Sequence, residues 1–354
     1  MEESKFLVRV CCLTYNHAPY IKDAMNGFCM QETNFPFVCV IMDDASTDGE
    51  QEVIKKYLTD HFDLIDKTIV RNEETDDYVL IYARHKKNHN CYFAVFFLKY
   101  NHYSIKKSKN TYIEEWEKQV KYIALCEGDD YWTDARKLQK QVDFLESHSD
   151  YDLCSHDYIR YYENTQKYDE KSALEDLLRD AKEKGEDYYE INLDNFFKHW
   201  FTQPLTCLYR NGDYLYKIPR EKYKFYRDDT HFYYILKEGN GALLSDVMGV
   251  YRINDTGTWS TISPVQKYKA SFYNAHNIYE VEGDERAIYI MKRKGILIAW
   301  ETIRKFDLKG FFKEVNSYRK LVPIKHFIYY ILSLFKFLFI RFVRKIKKMI
   351  HIPL

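Results

Sequence analysis

Short apolar runs alternate with helical patterns through the first half of the chain, and each run ends in polar residues. The runs cover residues 6–13, 37–42 and 122–126, and a helical pattern follows the first of them to about Gln31. An apolar run of four to eight residues that stops at polar or acidic residues is typical of a buried strand. Strands that alternate with helices predict an α/β fold with a parallel sheet.

A polar cluster follows each of these strands. The clusters are Thr-Tyr-Asn-His at 14–17, Asp-Asp-Ala-Ser-Thr-Asp at 43–48 and Glu-Gly-Asp-Asp at 127–130. Ligands of parallel sheets bind outside the carboxyl ends of the strands, so the three clusters are predicted to line one crevice. Crowded carboxylates repel one another, and they indicate a hard divalent cation that is often shared with a phosphate. For the third cluster, an acidic turn capping a helix near Arg136 is the alternative.

Together with later motifs, these residues resemble the nucleotide-sugar glycosyltransferases of family 2, and among them the bacterial surface-polysaccharide enzymes. The resemblance covers roughly residues 5–262. It rests on Leu-Thr-Tyr-Asn-His at 13–17, the acidic runs at 43–48 and 124–132, Lys-Leu-Gln-Lys-Gln at 137–141, Arg-Asp-Asp at 227–229, Val-Tyr-Arg at 250–252 and Gly-Thr-Trp-Ser at 257–260. It implies the glycosyltransferase A-type fold, with a Rossmann-like, mostly parallel central sheet flanked by helices and a C-terminal helical extension.

The resemblance also implies a nucleotide-sugar site built from several motifs. Tyr15 would pack near the nucleotide base, and Asp44 would accept a hydrogen bond from that base. The other implied contacts are Thr14, Asn16, Glu127, Asp129, Arg252 and Trp259. From the residues alone Asp44 could instead cap a helix, although Asp48 and Ser46 fill that role more naturally.

The third cluster looks like the metal motif of this family. Glu127 stands at its first acidic position, Asp129 at its second, and Asp130 lies just beyond. The implied cofactor is magnesium or manganese, held by Asp130 and Asp129 and bridged to the diphosphate of the donor. Which of the three carboxylates contacts the metal directly stays open.

The family's catalytic base stands at the N-terminus of a helix, and here the match is Asp229, with Asp228 as the fallback. An ionised carboxylate can take the proton of the acceptor hydroxyl as this hydroxyl attacks. We expect the helix N-terminus to lower the pKa of Asp229. A single base-activated displacement inverts the anomeric centre, so the resemblance implies an inverting enzyme. Plain N-capping is the alternative for both aspartates.

One departure from the family concerns the position two residues after the Tyr-Arg pair. Many relatives have a histidine there, whereas this chain has Asn254, which can supply only a neutral contact. Arg252 or Asp255 would then take over the contact of that histidine with the metal or the diphosphate. The departure leaves room for a second hypothesis, a catalytically silent subunit of the same fold that binds and anchors a partner at the membrane. The intact Asp44, Asp130 and Asp229 weigh against it.

Charge is unevenly distributed along a chain that is neutral as a whole. Of its 53 Lys and Arg, nine lie in the last 40 residues, which contain no acid. The remainder is acidic and would be repelled by phosphate backbones, so we predict no nucleic-acid partner. The eight cysteines include no Cys-x-x-Cys pair and indicate buried thiols in a reducing compartment. An acidic opening without a signal pattern favours the cytoplasm.

The basic tail follows an apolar segment. Residues 327–340 are apolar except for Lys336 and Ser333, and 341–348 are rich in Lys and Arg. Because the apolar part is shorter than about 20 residues, the pattern predicts a helix lying on an anionic membrane surface. Burial against a partner subunit is the alternative.

These observations divide the chain into a catalytic domain (1–262), a helical extension (263–322) and a basic amphipathic helix (323–354). We expect an inverting, metal-dependent enzyme at the cytoplasmic face of the cell membrane. It would transfer a sugar from a nucleotide-diphosphate donor, in first place a UDP-sugar, to a glycan or lipid-linked acceptor in surface polysaccharide synthesis.

Overall fold

The structure is a computed structural model that describes residues 5–118, 120–224, 226–255 and 257–349. Its contacts divide the chain into two units. The first unit takes residues 1–192, 200–218 and 232–255, and the second takes 193–199, 219–231 and 256–354. The second unit thus includes the segments 193–199 and 219–231, which lie within the predicted catalytic domain 1–262. The predicted domain boundaries at 262 and 322 stay predictions.

Within the described residues, thirteen strands form one mixed sheet, all of it in the first unit. The strands are β1 Val8–Thr14, β2 Phe37–Asp43, β3 Phe62–Asp63, β4 Arg71–Glu74, β5 Tyr78–His85, β6 Cys91–Leu98, β7 Tyr122–Leu125, β8 Tyr131–Trp132, β9 Tyr151–Tyr162, β10 Lys167–Tyr168, β11 Tyr188–Ile191, β12 Leu208–Arg210 and β13 Asn240–Ile253. The main order is β11-β13-β9-β12-β7-β1-β2-β6-β5-β3, with β10 on β9, β4 on β5 and β8 on β13.

The centre of the sheet is parallel, in the order β7-β1-β2-β6. All seven residues of β2 are buried, as expected for a strand with a neighbour on each side and both faces covered. In register, Thr14 pairs with Asp43 and Cys11 pairs with Leu125. The carboxyl ends of β1, β2 and β7 therefore meet at one edge of the sheet, and the predicted α/β fold class is confirmed.

Helices surround this sheet and make up most of the second unit. The helices are α1 Ile21–Cys29, α2 Glu50–His61, α3 Asn110–Glu117, α4 Lys137–Ser147, α5 Glu175–Glu183, α6 Leu193–Phe196, α7 Asp228–Glu238, α8 Thr258–Thr261, α9 Pro264–Glu282, α10 Ile288–Arg304, α11 Leu308–Leu321 and α12 Ile324–Met349. Helix α9 begins with a capping box in which Ser263 and Gln266 satisfy each other's backbone N–H groups, and Gly283 ends it in the left-handed conformation. A C-terminal helical region is therefore present, as predicted.

The apolar stretch of helix α12 is longer than the sequence pattern suggested. Its segment Ile324–Arg344 has 21 residues and a mean hydropathy of 1.6, and 11% of it is buried. By length and composition this segment could cross a membrane. The estimate that the apolar part is too short is wrong, because the helix begins ahead of Phe327 and continues past Lys336.

Candidate active site

The three acidic side chains after β7 converge in the first unit. Carboxylate oxygens of Glu127, Asp129 and Asp130 all lie within 4.8 Å of one another. Asp130 is only 2% exposed, and both its burial and the charge of Asp129 raise the pKa of its carboxyl well above the usual value. A cation among these oxygens would relieve the repulsion. An all-oxygen donor set fits Mg²⁺ or Mn²⁺.

The end of β13 holds this acidic loop in place. The backbone N–H of Arg252 donates to Asp130 Oδ1 at 2.8 Å, and Arg252 Nε donates to the Asp129 carbonyl oxygen at 2.9 Å. The Asn254 amide donates to Asp129 Oδ2 at 3.1 Å. Asn254 therefore contacts an acidic residue of the cluster, and a neutral contact from it to the metal or the diphosphate stays a prediction.

The guanidinium of Arg252 contacts two acidic side chains and an aromatic ring of the protein. It donates to Glu163 Oε2 at 2.7 Å and to Asp23 Oδ2 at 2.6 Å, and it lies 4.8 Å from the ring centre of Tyr20. The residue is 7% exposed. Arg252 therefore orients the acidic loop, and the direct donor contact predicted for it would compete with two carboxylates.

The tip of β1 is tied to the loop that follows β2. Thr14 is 3% exposed and donates its hydroxyl proton to the buried Glu50. Asn16 adopts a left-handed φ of 56°, and its side-chain oxygen accepts a hydrogen bond from the Thr47 N–H at 2.8 Å. Tyr15, between them, is 43% exposed. Of the three predicted nucleotide contacts, Tyr15 is thus the one whose ring faces solvent.

Asp44 is buried beneath a connecting segment. Its carboxylate accepts hydrogen bonds from the backbone N–H groups of His102 at 2.8 Å and Tyr103 at 3.0 Å. Lys109 Nζ approaches the same carboxylate at 2.8 Å. Asp44 therefore anchors the 102–109 segment at the carboxyl edge of the sheet, and contact with a nucleotide base stays a prediction.

The second unit contains the other predicted residues, Asp228, Asp229 and Trp259. Helix α7 begins at Asp228, as predicted, and the guanidinium of Arg227 lies 4.6 Å from the ring centre of Trp259. Trp259 is 37% exposed. The cation–π contact brings the Arg-Asp-Asp and Gly-Thr-Trp-Ser motifs together, although they are about 30 residues apart in sequence.

The pKa of Asp229 differs from the prediction. Desolvation raises it to about 6, and the charge of Arg227 offsets only part of this effect. The prediction that the helix N-terminus lowers this pKa is therefore wrong, because the loss of solvent outweighs the helix dipole. A carboxylate of this pKa is ionised at neutral pH and still basic enough to accept a proton.

Comparison with known proteins agrees with this arrangement. Residues 10–75, which include most of β1, all of β2 and the polar ends of both strands, match the sequence model of Glycosyl transferase family 2. Over these residues the chain is therefore similar to Glycosyl transferase family 2. The chain is also 28% identical over 252 residues to the uncharacterized proteins Rv1520 of Mycobacterium tuberculosis and Mb1547 of Mycobacterium bovis. That match covers 71% of this chain and 60% of each relative, so it spans less than two thirds of their length.

A solved structure with a similar fold is S. aureus TarS 1–349 in complex with UDP-GlcNAc. It matches with a TM-score of 0.50 and 16% identity, over 90% of this chain and 82% of the TarS 1–349 chain. At this identity the likeness concerns the fold. The resemblance to family 2 and its A-type fold is confirmed.

Two residues near this edge of the sheet were not assigned from the sequence. His17 Nε2 lies 3.8 Å from Asp129 Oδ2, and the His17 backbone N–H donates to Glu50 Oε2 at 2.8 Å. Glu50 is fully buried, and it accepts hydrogen bonds from the Thr14 hydroxyl and the His17 N–H at the tip of β1. His17 could have been found, because it directly follows the Thr-Tyr-Asn motif at a strand end. Nothing in the sequence marks Glu50, the first residue of α2.

Gly128 is required by the close approach of the acidic loop to β1. Its N–H donates to the Leu13 carbonyl oxygen at 3.1 Å, and a Cβ at this position would collide with the Thr14 side chain. We expect Gly128→Ala to lower the free energy of unfolding by about 1–3 kcal/mol, the range of an overpacked core. Denaturant unfolding measures this loss, with Glu127→Ala, at the exposed neighbouring position, as the control. Equal stability of both variants would contradict the predicted collision.

Proposed function

We propose that the protein is a nucleotide-sugar glycosyltransferase that moves a sugar to a hydroxyl of a glycan or lipid-linked acceptor, with inversion. The observation that carries this proposal is the convergence of three carboxylates at the carboxyl edge of the parallel strands, in a chain whose residues 10–75 match the family 2 model. The exposed Tyr15 at the same edge offers a stacking surface for a nucleotide base. TarS was crystallised with UDP-GlcNAc, which favours a uridine nucleotide as the first donor to test.

Asp130 and Asp129 would hold the divalent metal, with Glu127 beside them. When bound, Mg²⁺ or Mn²⁺ would neutralise the charge that develops on the leaving diphosphate. The protein contributes the geometry of this site: Arg252 fixes the backbone of the acidic loop, and Asn254 orients the Asp129 carboxylate.

Asp229 is our candidate for the base that removes the acceptor proton, and Asp228 is the fallback. The support is its place in the first turn of α7, the match to the family motif and a pKa of about 6. One base-activated hydroxyl that displaces the diphosphate in line leaves the sugar with inverted configuration. The attacking oxygen loses its proton to the carboxylate as the new glycosidic bond forms.

We place the enzyme at the cytoplasmic face of the cell membrane, in surface polysaccharide synthesis. The support is α12, whose exposed apolar side chains precede a basic C-terminal segment. Apolar side chains together with cations favour an anionic bilayer surface. An acceptor carried on a lipid would then be concentrated at the same surface.

The proposal is tested by titrating the purified protein calorimetrically with uridine diphosphate, with Mn²⁺ and with a chelator. We expect binding that weakens at least about tenfold when the metal is removed, because a cation bridges carboxylates and diphosphate. Equal affinity in the chelator would contradict the metal site. Thymidine and guanosine diphosphates come next if UDP does not bind. Absence of binding to all three would favour the silent-subunit hypothesis.

A further inference from the structure

The turn between α10 and α11 exposes three large apolar side chains. Phe306 is 92% exposed, Leu308 is 65% exposed and Phe312 is 67% exposed. We call these three residues the apolar turn. Apolar side chains that stay in water contribute no burial free energy to folding. A local group of them indicates a surface that contacts a partner or a membrane.

The backbone at Phe306 strengthens this point. The Phe306 N–H donates to the Ile303 carbonyl oxygen at 2.9 Å, and the Asp307 N–H donates to that of Thr302 at 2.9 Å. These two bonds form a Schellman motif in which Phe306 has a left-handed φ of 57°. Glycine is favoured at this position, and a bulky residue there is strained. The exposed ring of Phe306 is therefore held on a backbone conformation that costs conformational free energy.

Basic residues surround the apolar turn. Lys305, Lys309 and Lys313 are exposed at or beside it. Of the nearby acids, Asp307 caps α11 by accepting a hydrogen bond from the Gly310 N–H at 2.7 Å, while Glu301 pairs with Arg304 and Glu314 with Lys269. Apolar side chains between lysines complement the acyl boundary and the phosphates of an anionic bilayer.

Helix α12 runs alongside α10 and in the same direction. The Tyr330 hydroxyl donates to the Gly295 carbonyl oxygen at 3.4 Å. Further along, the rings of Trp300 and Phe337 lie 6.0 Å apart, and the Arg341 guanidinium lies 5.8 Å from the Trp300 ring centre. Both helices rise about 1.5 Å per residue. The turn that follows α10 therefore lies at the same end of this helix group as the basic part of α12.

We infer that the apolar turn is a second membrane-contact element, which inserts between anionic lipid headgroups next to the basic part of α12. This inference rests on the membrane association of α12 proposed above. It also places α12 against the bilayer rather than through it. A spanning α12 would take Lys292 and Arg293 of the adjoining α10 into hydrocarbon, where charges are strongly disfavoured.

The test is flotation of the full chain with phosphatidylcholine vesicles that contain or lack phosphatidylserine. We expect the triple change of Phe306, Leu308 and Phe312 to serine to weaken binding to the anionic vesicles at least about tenfold, since three inserted side chains are lost. Ile65→Ser is the matched control, because Ile65 is 89% exposed in the first unit. This control should bind as the wild type does.

Phe306→Gly separates a membrane role from loss of folding. Glycine relieves the left-handed strain, so this variant should unfold at an equal or higher denaturant concentration and yet bind anionic vesicles more weakly. The double variant Lys305→Glu/Lys309→Glu should bind more weakly to vesicles that contain phosphatidylserine, and its binding to vesicles of phosphatidylcholine alone should not change.

Three outcomes would overturn the inference. If the triple serine variant floats as the wild type does, while a chain lacking residues 324–354 no longer floats, α12 acts without the turn. If the wild type does not float at all, the membrane association itself is wrong. If the wild type forms a dimer that the serine variant does not form, a second copy of the chain covers the turn.

Discussion

Replacing Asp229 with asparagine should lower kcat for sugar transfer by about 10²- to 10⁴-fold, the usual contribution of a general base. Asparagine keeps the shape of the side chain, but it cannot take the acceptor proton. The dissociation constant for the nucleotide should not change, since we assign Asp229 to the acceptor hydroxyl and not to the nucleotide. A transfer assay together with a nucleotide titration measures both quantities. A loss of nucleotide affinity equal to the loss of rate would contradict the role of base.

The pH profile gives a sharper version of this prediction. Because burial raises the pKa of Asp229 to about 6, the base is protonated below that pH and ionised above it. The value of kcat/KM should therefore fall about tenfold per pH unit below pH 6 and level off above it. Asp228→Asn, at the exposed neighbouring position, is the matched control and should keep this acidic limb, whereas Asp229→Asn should lose it. The reverse result would assign the base to Asp228.

The parts of this site that the sequence predicted are those set by a single strand and its end. Residues 37–42 read as a buried strand because both faces of β2 are covered, so no polar position interrupts the run. The neighbouring register of β1, β2 and β7 then brings their polar ends together by geometry alone. The acidic cluster could be predicted for the same reason, because it directly follows the end of β7.

Contacts between distant segments could not be predicted in this way. Arg252 pairs with Glu163, 89 positions away, and with Asp23, 229 positions away, and neither acid lies in a motif. The predicted direction of the Asp229 pKa shift was wrong for a related reason. The helix N-terminus can be recognised in the sequence, whereas the packing that removes water from the carboxyl cannot. In both cases the deciding interaction comes from tertiary structure.

Asp130→Asn should have opposite effects on function and on stability. We expect the metal-dependent affinity for uridine diphosphate and the transfer rate to fall at least about 100-fold, since a neutral amide replaces a charged ligand of the cation. Asparagine can still accept the hydrogen bond from the Arg252 N–H, so the acidic loop should keep its conformation. Calorimetric titration with Mn²⁺ measures the loss, and Glu127→Gln, at the exposed position, should lose less.

Without metal, the same change should stabilise the protein at neutral pH, because asparagine puts no charge into this buried position. Burial and the charge of Asp129 raise the pKa of Asp130 above its unfolded value, so the folded protein binds this proton more tightly. Metal-free wild type should therefore lose stability as the pH rises from the unfolded pKa to the folded one, and the variant should lack that loss. Denaturant unfolding in a chelator at several pH values measures the difference. A variant less stable than the wild type at neutral pH would show that this carboxylate is well accommodated without a cation, and would count against the metal site.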